Sequence, residues 1–146
     1  MPPATSSVNP VNMAVEQALT NDLTLDVVLG VDGSNPHKIF DTSIPEGLTV
    51  TPPYVILGST TENPSDVFHR GGSRGTLQLH VWSAQHGKLE IGWVYTELKR
   101  ILHRQPLVLS GGMAWLEGSI TTGPEFRDDG SGMMHGVATY TYTVRG

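Results

Sequence analysis

The hydrophobic period of the chain changes once, sharply, between Gly75 and Leu102. From Thr76 to Ser83, apolar Leu77, Leu79 and Val81 alternate with Thr76, Gln78 and His80, the two-residue repeat of a strand with one buried face. After the turn-like Ala84–Gly87 the repeat becomes helical. Ile91, Val94, Tyr95, Leu98, Ile101 and Leu102 then fall on one stripe of a helix spanning Lys88–His103. Leu89 and Trp93 sit four apart on the opposite side. They are either core beneath a second helix or the anchor of a contact with another subunit. Thr96, Arg100 and His103 on the same side make it resemble an interface rim more than an interior. Leu89, Trp93 and Arg100 are therefore the subunit-interface candidates.

The remaining pattern sorts into elements. Met1–Val8 is rich in Pro, Ser and Thr and is expected to be a flexible arm. Asn9 is expected to cap a helix opened by Pro10, with Val11, Ala14, Val15, Ala18 and Leu19 as its stripe. Asp22–Leu29 reads as a second short helix stopped by Gly30. Lys38–Phe40 reads as a short strand, and Ser43–Pro53, with three prolines and a glycine, as an extended connection. Tyr54–Thr60 is expected to be a strand buried on both faces over its first half. Residues Thr61–Ser73 are polar and glycine-containing, and read as a long loop, of a length that is either functional or disordered. Strands are expected at Leu107–Leu109, at Met113–Thr122 with an interruption at Gly118, and at Gly136–Arg145. Asp128–Gly132 between the last two is a hairpin signal. The order predicts one α+β domain over residues 1–146: a mostly antiparallel sheet with two main helices packed on one face.

Composition narrows the chemistry. A chain of 146 residues with 38% hydrophobic content can build a core without staples, and with no cysteines it has no disulfides or thiolate metal sites. No apolar run approaches the roughly 18 residues of a membrane span, and the N-terminus does not read as a secretory signal, so synthesis in the cytosol is expected. The net charge of −5, with only 9 basic residues, argues against sequence-specific grip on nucleic acid.

Six histidines raise a metal or acid–base reading. His80 and His86 match neither a helical pair nor a His-x-His strand pair, and only Glu90 follows His86 at ligand spacing. His103 closes a helix, where an imidazolium suits the negative end of the dipole. His37, His69 and His135 fall in or beside loops. Gly71–Gly75 lacks the Gly-Lys-Ser/Thr ending of a phosphate loop, and Ser110-Gly111-Gly112 lacks the nucleophile-elbow pattern. Asp128 and Asp129 lack the distal glutamate of a calcium loop. No constellation supports catalysis, and no cofactor is expected. A small histidine-based metalloenzyme is the reading from a different class.

Several motifs recur in a telling order. An Ala- and Leu-containing N-terminal helix precedes Pro53–Gly58 (PYVILG) and Leu77–Gly87 (LQLHVWSAQHG). The amphipathic helix ending at Leu102-His103, Pro106-Leu107, Asp129-Gly130 and His135-Gly136 follow. This succession, from Val11 to Val144, resembles the tail-completion or tail-terminator family of long-tailed bacteriophages. The proline-rich approach to Tyr54 departs from its pattern.

The resemblance implies a structural protein of the virion neck, assembled in the host cytoplasm. It implies a hexameric ring at the head-proximal end of the tail tube that ends tube growth. The implied partners are further copies of the chain, the tail tube protein and the head connector or stopper protein, with DNA passing transiently through the lumen. A stopper or adaptor of the same connector is the related alternative. Six copies would carry a formal charge of roughly −30, which lets DNA slide past without sticking. Asp66, Phe68, His69 and Arg70 in the long loop are then the candidates for contact with an adjoining ring.

Overall fold

The computed structural model describes residues 8–64, 72–85, 87–109 and 115–145. In chain order these form α1 (Val8–Thr20), α2 (Leu23–Leu29), β1 (Ile39–Asp41), β2 (Tyr54–Pro64) and β3 (Gly72–Ser83). Then come α3 (Leu89–Leu102), β4 (Leu107–Val108), β5 (Trp115–Arg127) and β6 (Met134–Arg145). The six strands make one sheet in the order β1-β2-β3-β6-β5-β4, antiparallel except for the parallel pair β1 and β2. The fold is α+β, as the pattern predicts.

Local chemistry sets most boundaries. The Asp22 carboxylate accepts the Leu25 N–H at 2.9 Å and so caps α2. Gly30, at φ 74°, turns the chain out of that helix in the left-handed region where a side chain would be strained. Buried Lys38 then donates to the Leu29 carbonyl at 2.7 Å, a cation at the negative end of α2. The start of α3 is fixed from the sheet: the Ser83 hydroxyl donates to the Glu90 carboxylate at 2.6 Å. Its exit is fixed there too, by the Arg104 N–H on the Gly118 carbonyl at 2.8 Å.

Four expectations are corrected. Helix α1 already includes Val8, so Asn9 stands inside the first turn and is not its cap; residues 1–7 of the expected arm lie outside the described residues. Pro10 is still tolerated, because first-turn amides have no intrahelical partner. The expected 61–73 loop is shortened from both ends, since Thr61–Pro64 pair with Ser73–Thr76. A register shift between Leu57 and Thr60 resets the alternation there and hides the strand in the sequence. Likewise β5 is not interrupted at Gly118 and runs on to Arg127, with a shift between Thr122 and Glu125 absorbing Gly123 and Pro124. Finally, burial on the second face of β2 is partial: Tyr54 is buried there, but Ile56 is only half-buried.

Strand register assembles one apolar face. Leu57 lies opposite Leu79 and Leu79 opposite Ala138, while Leu77 lies opposite Tyr140 and Tyr140 opposite Ile120. Side chains of all three helices join these residues in a single buried cluster, including Val11 and Val15 of α1, Leu25 of α2, and Ile91 and Leu98 of α3.

Contact between α3 and the sheet depends on Gly136. A methyl group there would collide with the Tyr95 hydroxyl and with Ile91 Cγ2. The buried Tyr95 hydroxyl donates to the Gly123 carbonyl at 3.1 Å, with the Val137 carbonyl at 3.4 Å, and burial pushes its pKa up to about 12. Gly136→Ala should therefore cost about 1–3 kcal/mol of unfolding free energy, read from the urea midpoint. Gly92→Ala within α3, where nothing lies within 4 Å of an added methyl, should instead stabilise by about 0.5–1 kcal/mol.

Candidate functional site

The outer side of the helical layer presents the sequence-selected pair. Leu89 is 61% exposed and Trp93 50% exposed, on the flank of α3 opposite its buried stripe. Arg100, half-exposed on the same helix, is engaged within the chain. Its guanidinium bonds the Asp22 carboxylate at the start of α2 and the Glu97 carboxylate, the latter at 2.7 Å. Burial alone would raise the Asp22 pKa. The Arg100 hydrogen bond and the Leu25 N–H outweigh it and hold that carboxyl below its usual range.

Two further apolar side chains escaped the sequence reading. Leu23 is 78% exposed and Val27 80% exposed, both on α2. In LTLDVVL the buried pair Leu25 and Leu29 occupies one side at i, i+4 spacing, and Leu23 and Val27 repeat that spacing elsewhere on the helix. The signal was present in the sequence, but seven residues with apolar groups on two sides do not tell which side is core.

The opposite face of the sheet holds an aromatic group at one end. His80 Nδ1 and His135 Nε2 are 2.8 Å apart, so one ring donates and the other accepts. Trp82 stacks on His135 at 3.9 Å between centroids and 3° between planes, and Phe126, 48% exposed, meets the same ring at 4.9 Å. Gly58 leaves the space that the His80 ring occupies. Toward the other end of the face, register aligns Ser119 with Thr141 and Thr121 with Thr139, a run of small hydroxyl side chains.

The other histidines stand apart. His37 lies 3.9 Å from the Glu16 carboxylate and edge-on to Phe40. His103 Nδ1 accepts the Ile120 N–H at 3.1 Å, which needs a lone pair on that nitrogen; the expected imidazolium at the helix end gives way to an acceptor bond with β5. His69 and His86, with Asp66, Phe68 and Arg70, fall outside the described residues. Among the described residues no three His, Asp or Glu side chains converge as a metal site.

Fold and surfaces define a helix-backed sheet protein with apolar groups displayed on both outer sides and its described histidines bound into local contacts. The chain belongs to the tail completion protein gp17 family, whose model matches residues 13–145. It is a structural protein of the phage-type virion tail. Among solved structures, a chain from the virion of a native gene transfer agent particle superposes with a TM-score of 0.80. Identity is 19%, over 98% of this chain and 100% of that one. A second solved chain gives a TM-score of 0.58 at 19% identity, over 98% of each. No curated protein sequence matches the chain.

The histidine pair has a pH consequence. Burial lowers the pKa of both rings; His80 lowers that of His135 further, against a weaker opposite pull from Asp128. The unfolded chain then takes up protons first, so the contribution of the pair is complete above about pH 6.5 and is lost as pH falls. The bond survives one added proton but not two. Stability should drop between pH 7 and pH 5 by on the order of 1 kcal/mol, the net worth of a hydrogen bond. In His135→Gln, measured by urea denaturation, that drop should be smaller.

Proposed function

We propose that the chain closes into a hexameric ring at the head-proximal end of the tail tube. There it ends tube growth and joins the tail to the head connector, with DNA passing through the lumen. Membership of the tail completion family over residues 13–145 carries this reading. Exposed Leu89 and Trp93 support it, since a ring subunit must keep apolar surface outside its own core. Arg100, held by Asp22 and Glu97, would then stand at the rim of the contact. The charge of −5 per chain supports passage of DNA without adhesion.

Native mass spectrometry and electron microscopy of the purified protein, alone and with tail tube protein, should show sixfold rings. A chain that stays monomeric and never caps tubes would overturn the reading. In the virus, loss of the gene should give overlong or headless tails. Heads that leak DNA would indicate a stopper instead.

Trp93 provides a residue-level test. Trp93→Ala should weaken ring assembly by about 2 kcal/mol or more, on the order of thirtyfold in assembly concentration. The melting temperature of the unassembled chain should barely move, because half of the ring already faces solvent. An equal loss in both measurements would make Trp93 a core residue.

A further inference from the structure

We infer that the α2–α3 ridge of one copy seats on the aromatic end of the open sheet face of the next. The inference rests on the ring reading and adds which two surfaces meet.

The ridge is composite. Arg100, near the end of α3, binds Asp22 at the start of α2, and Lys38, on the last carbonyl of α2, feels the charge of Glu90 in the first turn of α3. The two helices therefore run side by side in opposite directions. That sets Leu23 and Val27 of α2 and Leu89 and Trp93 of α3 on the solvent side of one two-helix layer, with Leu23 toward the Arg100 end. Exposed as they are, these four side chains offer on the order of 500 Å² of apolar surface, in the range where a patch marks a contact. One side of a standard interface needs roughly 800 Å², a little over half of it apolar. The ridge meets that requirement.

Its counterpart lies across the molecule. Alternation places Ile56, Trp82, His135 and Phe126 on the sheet face turned away from the buried cluster, at the end next to the β5–β6 turn. A ridge and a sheet patch on opposite sides of one chain cannot meet within one copy. They can meet head to tail, and such a contact between different patches generates a ring when the rotation between successive copies closes. Ridge against ridge would stop at a dimer and leave Phe126 uncovered.

Charge agrees with this pairing. Exposed Lys88 and Lys99 flank the ridge at the two ends of α3. Asp128 and Asp129 border the sheet patch in the turn that follows Phe126, and alternation sends Arg127 to the other face. Head to tail, these two lysines face the acidic turn, while Asp22 and Glu97 on the ridge are already paired with Arg100.

Two single variants of the full chain test the contact, each at an exposed position: Val27→Lys on the ridge and Phe126→Lys on the sheet. By native mass spectrometry each should need about tenfold or more higher concentration than wild type to form rings, with unchanged circular dichroism and melting. Mixed in equal amounts, they should form one-to-one dimers and stop there. The intact ridge of the Phe126→Lys chain docks on the intact sheet of the Val27→Lys chain, leaving two damaged surfaces outside. Leu23→Lys replaces Val27→Lys if the latter unfolds. Variants that form rings like wild type, or a mixture that yields no dimer, overturn this inference alone. A wild-type chain that forms no ring overturns the ring reading with it.

Discussion

The seating of α3 on the sheet is the constraint on which the rest of this structure depends. A helix can approach a sheet closely only where the strand offers no side chain, and Gly136 provides that opening beneath Tyr95 and Ile91. The Tyr95 hydroxyl then reaches carbonyls of both β5 and β6, so the helix is held by hydrogen bonds as well as by apolar contact. Ser83 on Glu90 and Arg104 on Gly118 pin its two ends to β3 and β5. Once the inner stripe of α3 is committed in this way, its outer flank has no choice but to face away from the core.

The remaining helices follow from that placement. Helix α2 is held beside α3 by the Asp22–Arg100 pair at one end, and buried Lys38 caps its other end. A short helix with apolar groups on two sides gains from burying one of them and leaves the other in solvent. The result is a layer whose inner surface is a closed core and whose outer surface is still apolar. For a protein that works alone this would be a liability. For a tail completion protein, which acts inside a virion, an apolar outer surface is the expected means of holding neighbours.

How much of this was legible differs by element. The stripe of α3 and the alternation of β3 and β6 could be read directly, because each keeps one period from end to end. The far halves of β2 and β5 could not. A register shift in each strand moves later side chains out of the expected alternation, and residues such as Thr61, Glu62 and Pro124 then read as loop. Asn9 looked like a cap because its residue type suits one, yet the helix starts before it. The position of Leu89 and Trp93 opposite the stripe followed from the helical period, whereas their exposure and the addition of Leu23 and Val27 did not. His80 and His135 gave no sign of their partnership, being 55 residues apart with no local spacing to reveal them.

By itself, the order of residues determined what is local: where the period is two or near four, where a glycine or aspartate ends or starts an element, and which side of α3 is apolar twice over. Those properties depend on neighbours within a few positions, and chain geometry alone converts them into structure. Only the tertiary structure decided which side chains meet. The hydrogen bond between two histidines, the tie from Asp22 to Arg100, and the joining of two helices into one ridge all depend on strand order and helix adjacency. Those are set by the burial of the whole apolar face at once, a collective demand that no short stretch of the chain records.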